Sequence, residues 1–213
     1  MARFDAFLFD LDGTLIDSID LIFASYRHTL SQHHGSAPPD EVWLAGLGTP
    51  LRQQLRPFAR NQDEVEAMVA TYRDFNFAHH DAMVRPFPGT RAAVEQLKAR
   101  GLGLAVVTSK ARNGLQRGLN VCGLDDLFEV VVAADDVTLH KPDPAPVLHA
   151  LDFLGVEAGR SVFVGDSPHD MEAGRRAGTR TAAALWGPFS REQLADHSPD
   201  FWLTRTAEVV DLA

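Results

Sequence analysis

The chain of 213 residues has a formal net charge of −9, with 45% apolar and 23% charged residues, as in ordinary globular proteins. This acidic balance argues against a nucleic-acid partner, because binding to a phosphate backbone depends on clustered lysine and arginine. The single cysteine, Cys122, excludes an internal disulfide framework and a cysteine zinc cluster. No segment has the ~18 apolar residues of a membrane span, and the first residues lack the apolar stretch of a signal peptide. We therefore expect a cytoplasmic protein with no membrane partner.

A short apolar run at 4–9, FDAFLF, is the first predicted strand, and it ends in an acidic turn. Later apolar runs that also stop abruptly in polar residues predict further strands at 102–109, 129–136, 161–167 and 181–185. Segments with helical periodicity lie between them, at 90–100, 111–122, 144–154 and 167–177. This alternation predicts an α/β fold with a Rossmann-like parallel sheet covered on both faces. Ligands of such sheets bind beyond the carboxyl ends of the strands.

Residues 17–85 interrupt the alternation. They have helical patterns at 19–31 and 63–77 and no convincing strand. We predict an inserted α-helical cap over 17–85, with a catalytic core formed by 1–16 and 86–213. The linkers near 15–18 and 82–88 should let the cap open and close over the core.

The strand ends carry the candidate functional residues. Asp10 and Asp12 follow the first strand, and two carboxylates held so close need a cation such as Mg²⁺. The other strand ends and the loop before the 144–154 helix supply hydroxyl, lysine and carboxylate groups: Thr108, Ser109, Lys141, Asp166 and Asp170. Each acid or hydroxyl could instead cap a helix, and a loop lysine is usually solvated. Such coincidences at several parallel strand ends are less probable than one shared site.

Four segments, FDLDGTLIDS, VVTSK, HKPDPAPVL and VGDSPHDMEAGRRAG, stand in an order and spacing that resemble the haloacid dehalogenase superfamily of phosphatases with an inserted helical cap. The resemblance covers essentially the whole chain. It implies that Asp10 is the nucleophile and that Asp12 is the general acid and base. It further implies a set of ligands for Mg²⁺: the Asp10 carboxylate, the Asp12 backbone carbonyl, Asp166, and Asp170 directly or through water. The phosphoryl oxygens would be bound by Thr108, Lys141 and neighbouring backbone, including Gly13 and Ser109.

Other activities of the superfamily fit less well. Dehalogenases lack the second acid, here Asp12, and phosphonate hydrolases need a cap lysine, whereas residues 1–97 contain no lysine. Sugar phosphomutases carry a histidine ten residues after the second acid, where this chain has Ile22. A noncatalytic phosphate-binding relative would not need the pair of acids, and it remains the alternative from a different functional class.

The substrate expected from the resemblance is a small phosphorylated metabolite, most simply 2-phosphoglycolate. Pyrophosphatases of the PpaX type resemble the chain equally in length and cap pattern, including the segment 46–51. Arg52 could bind a substrate carboxylate or second phosphate, although an exposed helix arginine explains it as well. The same holds for Arg56, Arg73 and Arg85, and the choice between monomer and homodimer stays open.

Overall fold

The computed structural model describes residues 3–213 and contains a six-stranded parallel sheet with the order β5-β4-β1-β6-β7-β8. A separate ladder pairs β2 with β3. The strands are β1 Ala6–Phe9, β2 Ile16–Asp17, β3 Arg85–Pro86, β4 Gly103–Val107, β5 Val130–Val132, β6 Ser161–Gly165, β7 Arg180–Ala184 and β8 Phe201–Leu203. The predicted α/β fold with a parallel sheet is therefore confirmed.

Helices cover both faces of the sheet and fill the segment between β2 and β3. The α-helices are α1 Ile19–His34, α2 Asp40–Leu44, α3 Leu51–Leu55, α4 Gln62–Met83, α5 Thr90–Ala99, α6 Arg112–Val121, α7 Ala145–Leu154, α8 Pro168–Ala177 and α9 Arg191–Ala195. Short 3₁₀ turns occupy Arg56–Phe58, Ala134–Asp136, Ala158–Arg160 and Thr206–Leu212. Among residues 3–213, no helix combines the length and the apolarity needed to cross a membrane.

The sequence pattern locates most of these elements and misplaces some of their ends. The strand predicted at 129–136 is only Val130–Val132, because the acidic residues after it form a 3₁₀ turn. The edge strand Phe201–Leu203 was not predicted. Its single run of three residues lacks the length that makes a strand stand out in a sequence.

The strands consist mainly of apolar residues because both faces of the sheet are buried. All four residues of β1 are at most 3% exposed, and one hydrophobic cluster packs on each face. β1 lies at the centre, pairing with β4 on one side and with β6 on the other. The carboxyl end of β1 therefore lies in the middle of one sheet edge.

The helical segment 19–83 has its own apolar centre. Tyr26 and Trp43 stack with ring centroids 4.4 Å apart, and this cluster continues onto Met171 and Phe189 of the sheet-bearing part. The ladder of β2 and β3 joins the two chain segments that connect the helical part to the rest. We keep the division into a core of 1–16 and 86–213 and a cap of 17–85 as a proposal.

Candidate functional site

Polar side chains follow three neighbouring strands at the points where the strands end. Asp10 comes directly after β1, Thr108 after β4 and Asp166 after β6. Because the strands are parallel, their carboxyl ends meet at the same edge of the sheet. All three residues are buried, with 5% or less of each exposed to solvent.

Lys141 bridges two of the buried acids. Its Nζ donates to Asp10 Oδ1 at 2.7 Å, to Asp170 Oδ1 at 2.6 Å and to the carbonyl of Val107 at 3.2 Å. Burial alone would lower the pKa of Lys141, but the charges and hydrogen bonds of the two carboxylates outweigh burial and raise the pKa. Lys141 is only 2% exposed, so it is a buried cation and not a solvated loop lysine.

Asp10, Asp166 and Asp170 form a cluster in which one carboxylate oxygen from each residue lies within 4.8 Å of the others. Burial raises the pKa of Asp10 to about 7 against the opposing charge of Lys141. Burial and the charges of Asp170 and Asp10 also raise the pKa of Asp166 well above its usual range. When all three acids are ionised, one ammonium group leaves two of the three negative charges unbalanced. Among residues 3–213 no other lysine or arginine pairs with these acids, so the ionised cluster would be balanced by a divalent cation.

This donor set fits a magnesium ion, which prefers carboxylate oxygens and carries the two charges that the cluster lacks. The backbone beside the cluster makes room for close approach. Gly13 has a φ of +83°, and a Cβ at that position would lie 2.6 Å from Asp166 Oδ2. The hydroxyl of Thr14 donates to Asp166 Oδ1 at 2.7 Å and so orients that carboxylate.

Asp12 has different partners from those of the cluster. Its Oδ1 accepts hydrogen bonds from Ser18 Oγ at 2.5 Å and from Lys110 Nζ at 2.7 Å. Sequence reasoning missed Lys110 and Thr14 as site residues, although both belong to the motif segments. The order of motifs could have identified them, but the partners of each side chain lie about 100 positions or more away along the chain.

Helix capping does not account for the acids at these strand ends. The N-cap of α8 is Ser167, and Asp166 lies outside that cap. The N-cap of α1 is Ser18, so the acidic turn after β1 is also not a cap. Asp170 takes part both in the cap of α8 and in the cluster of acids. Its Oδ2 accepts from the Ser167 amide at 3.1 Å, while its Oδ1 accepts from Lys141. The start of α8 thus fixes the carboxylate that faces the cluster.

The hydroxyls after β4 are available to a ligand. α6 begins at Arg112 without a side-chain cap, so neither Thr108 nor Ser109 caps that helix. Thr108 Oγ1 accepts from the Lys110 amide at 3.1 Å. Within residues 3–213, the buried Ser109 Oγ has no hydrogen-bond partner. An unpaired buried hydroxyl is costly unless a ligand atom pairs with it.

A cavity of about 340 Å³ lies between these strand ends and the helical segment. A space of this size suits a small ligand. One side, the core wall, is formed chiefly by Asp10, Asp12, Thr108, Ser109 and Asp166. The opposite side, the cap wall, is formed by the lining residues between positions 22 and 77.

Arg52 lines the cap wall but is held by an acid. Its Nε and Nη2 donate to the two carboxylate oxygens of Glu66 at 2.7 and 2.8 Å. A substrate anion would have to displace Glu66 to reach this guanidinium. The structure therefore does not bring Arg52 to the other predicted site residues as a free cation.

The loop between α2 and α3 touches the core beside the cavity. Gly48 has a φ of +95°, and a Cβ there would lie 2.9 Å from Ser167 Oγ and 3.3 Å from His169 Cδ2. Only a residue without a side chain permits this approach. The helical segment is thus packed against the loop that carries Asp166.

Comparison with known proteins identifies the family to which the chain is similar. Residues 7–184 match a model of the haloacid dehalogenase-like hydrolase family. The chain is 40% identical over 205 residues to pyrophosphatase PpaX of Anoxybacillus flavithermus. The aligned region covers 96% of this chain and 94% of that protein. Pyrophosphatase PpaX of Bacillus cereus is 37% identical over 210 residues, with 99% and 96% covered.

Solved structures agree on the architecture. The structure named as a "predicted phosphoglycolate phosphatase" from Haemophilus somnus superposes with a TM-score of 0.88 at 26% identity. The match covers 100% of this chain and 99% of that one.

Proposed function

Because the chain belongs to the haloacid dehalogenase-like hydrolase family, we propose that it is a magnesium-dependent phosphatase acting on pyrophosphate through a phosphorylated Asp10. The observation that carries the proposal is the buried cluster of Asp10, Asp166 and Asp170 beside Lys141, of which Asp10 and Asp166 line a cavity of about 340 Å³. A site built for binding alone would have no use for a nucleophilic carboxylate next to a second acid.

In the first step the Asp10 carboxylate attacks phosphorus and the bond from phosphorus to the leaving oxygen breaks. The hydrogen bond from Lys141 goes to Oδ1, and no side chain within residues 3–213 donates to Oδ2. Oδ2 is therefore the oxygen that attacks. Asp12 acts as the general acid and transfers a proton to the leaving oxygen, so that phosphate departs from pyrophosphate as the product.

In the second step water hydrolyses the phosphorylated Asp10. The Asp12 carboxylate takes one proton from the water as its oxygen attacks phosphorus, and the bond between phosphorus and Asp10 breaks. Asp12 thereby recovers the proton that it gave up in the first step, and Asp10 recovers its carboxylate. Ser18 and Lys110 hold the Asp12 side chain in place during both proton transfers.

The chain holds the transferring phosphoryl group between several donors. Thr108 and Ser109 would donate to its negative oxygens as charge develops. Lys141, whose three N–H groups bind Asp10, Asp170 and the Val107 carbonyl, would stabilise them through its charge. Asp10, Asp166 and Asp170, with the backbone carbonyl of Asp12, would hold the magnesium ion. When bound, that ion supplies charge neutralisation and an electrophile beside the phosphoryl oxygens.

Two substrates deserve direct comparison. The PpaX relatives at 37% and 40% identity support pyrophosphate. The structural neighbour at 26% identity supports 2-phosphoglycolate as the second candidate. The motif resemblance alone favours 2-phosphoglycolate, whereas the greater similarity to the pyrophosphatases favours pyrophosphate.

The test is release of inorganic phosphate from pyrophosphate, 2-phosphoglycolate and a set of sugar monophosphates, each with Mg²⁺ and with EDTA. We expect Mg²⁺-dependent release with the highest kcat/KM for pyrophosphate. Faster release from 2-phosphoglycolate would select the second candidate. Conversion of a sugar phosphate to an isomer without phosphate release, or no reaction at all, would contradict the phosphatase proposal.

A further inference from the structure

Arg73 lies on the cap wall among residues that share one face of α4. The face recurs at intervals of three and four residues, as neighbours on a helix surface do. The members that line the cavity are Val69, Tyr72, Arg73, Asn76 and Phe77. Asn76 donates through Nδ2 to Ser25 Oγ at 3.1 Å, which ties this face of α4 to α1. Arg73 thus borders the cavity from a helix whose position is fixed by its packing.

Arg73 differs from Arg52 in its partners. Glu66 gives both of its oxygens to Arg52, at 2.7 and 2.8 Å. The charge of Arg73 reaches Glu66 and helps to lower the pKa of that acid, after the larger effects of its hydrogen bond and charge pairing with Arg52. Within residues 3–213, however, the side chain of Arg73 forms no ion pair or hydrogen bond, while Arg52 binds Glu66. Glu66 therefore pairs with one of the two guanidinium groups, and Arg73 is the group left without a partner among residues 3–213.

The other cations of the cavity lining are already engaged. Lys110 is paired with Asp12 at 2.7 Å, and Arg52 is paired with Glu66. Arg73 is consequently the unpaired lysine or arginine of the lining, within the part of the chain that the structure describes. It is partly buried, so its attraction for an anion is screened less than at a fully exposed site.

We propose that Arg73 binds a second anionic group of the substrate while the core wall binds the phosphoryl group that is transferred. This inference rests on the proposed phosphatase function and gives it a substrate class: small compounds with a phosphoryl group and a second anion. The second anion is the other phosphate of pyrophosphate or the carboxylate of 2-phosphoglycolate. A guanidinium serves both, because its parallel N–H groups match two oxygens of either anion.

A comparison of specificity ratios tests the assignment. We would measure kcat/KM for pyrophosphate, 2-phosphoglycolate and p-nitrophenyl phosphate, which has no second anion, in wild type, Arg73→Met and Arg73→Lys. For Arg73→Met we expect the ratio of kcat/KM between the dianionic substrate and p-nitrophenyl phosphate to fall about 10- to 100-fold, mainly through KM. Arg73→Lys should retain part of the ratio. The substrate whose ratio falls more identifies the second anion.

Two further arginine variants serve as comparisons. Arg56→Met removes an equal charge from the cap at an exposed position whose Nη1 donates only to the Ala59 carbonyl, and it should keep the wild-type ratio. Arg52→Met tests the rival assignment. An unchanged ratio in Arg73→Met, or a selective fall in Arg52→Met instead, would overturn the proposal.

A binding measurement separates this proposal from the proposed function. Calorimetry with methylenediphosphonate and methylphosphonate, in the presence of Mg²⁺, requires no turnover. We expect wild type to bind the diphosphonate at least about tenfold more tightly, and Arg73→Met to lose that preference. If wild type has the preference but hydrolyses nothing, the proposed function fails and the role of Arg73 stands. If wild type has no preference, the role of Arg73 is wrong whatever the enzyme hydrolyses.

Discussion

The two walls of the cavity are built differently. On the core wall and directly behind it, Asp10, Asp166, Asp170 and Lys141 are each at most 5% exposed and are held by hydrogen bonds from distant parts of the chain. On the cap wall, the Arg52–Glu66 pair is about half exposed, with 52% and 46% of the two side chains accessible. The groups of the core wall are therefore shielded from solvent and held by several partners, whereas the ion pair of the cap wall is open to solvent.

This difference suggests that the core wall carries out the reaction and that the cap wall selects the substrate. A nucleophile must be held at a fixed distance from its proton donor and its charge-neutralising groups, and burial with dense hydrogen bonding provides that. Selection among small phosphate compounds needs only a few contacts to the rest of the substrate. Changes in the core wall should accordingly abolish turnover or unfold the protein, while changes in the cap wall should alter the preference among substrates.

The largest expected effect is that of Asp10→Asn. The amide cannot act as the nucleophile, so kcat for pyrophosphate should fall at least about a thousandfold, to be measured by phosphate release. Asp125→Asn makes the same replacement at an exposed position and should retain wild-type activity. Substantial turnover by Asp10→Asn would mean that another group attacks phosphorus, and the comparison of the walls would lose its basis.

Lys141→Met should have the largest effect on folding. It leaves the buried carboxylates Asp10 and Asp170 without their cation, and breaking a buried ion pair in this way costs about 3–5 kcal/mol of unfolding free energy. Urea denaturation in EDTA measures the loss. Lys98→Met removes a lysine from the exposed surface and should leave stability nearly unchanged. Equal stability of the two variants would show that Lys141 is not what balances the buried acids.

Magnesium should stabilise the core wall, and more strongly at high pH. At a hundred times its dissociation constant a ligand adds about 2.7 kcal/mol, which corresponds to a rise in Tm of about 5–10 °C for a chain of this size. Burial raises the pKa of Asp10 to about 7, so at pH 6 the ion must displace a proton from this carboxyl group and at pH 8 it need not. The Mg²⁺-induced rise in Tm should therefore be larger at pH 8 than at pH 6.

Replacing a predicted ligand provides the control for this measurement. Asp166→Asn should remove most of the Mg²⁺-induced rise in Tm, whereas Asp125→Asn should keep it. A rise of equal size in both variants would place the ion outside the cluster of buried carboxylates.

The core wall is also the part of the molecule that could be predicted from the sequence. Asp10, Thr108 and Asp166 each stand one residue beyond a short apolar strand, and parallel strands bring such positions together whatever the details of packing. Because the strands pair in parallel, residues that follow strand ends in the sequence lie next to one another at one edge of the sheet. The roles of these residues remain predictions, but their proximity follows from the fold.

The cap wall could not be predicted in the same way. Whether Arg52 or Arg73 is free depends on which of them reaches Glu66, and that is decided by how α3 packs on α4. No periodicity in the sequence records this choice. The pairing of Lys110 with Asp12 was missed for the same reason, since it joins two loops 98 positions apart.

The contact between cap and core should have a moderate effect. In Gly48→Ala a Cβ would lie 2.9 Å from Ser167 Oγ, so the cap would have to shift away from the core wall. We expect kcat/KM to fall several-fold, besides the cost of about 1–2 kcal/mol for a side chain at positive φ. Gly35→Ala introduces the same backbone strain where nothing lies within 4 Å, and it should retain wild-type kcat/KM. Equal activities of the two variants would mean that cap contact does not matter for turnover.

The smallest expected effect is that of Glu66→Gln. It removes the acid that pairs with Arg52 and lies within reach of the charge of Arg73, so the cap wall becomes more positive without losing a cation. KM for pyrophosphate should fall about twofold to threefold at low ionic strength, and this gain should shrink at high salt because exposed charges are screened. Glu95→Gln breaks a similarly exposed pair, with Arg91, away from the cavity lining and should leave KM unchanged. A rise in KM for Glu66→Gln would mean that Glu66 holds the cap wall in its working arrangement, and the cap wall would then resemble the core wall more than the exposed pair suggests.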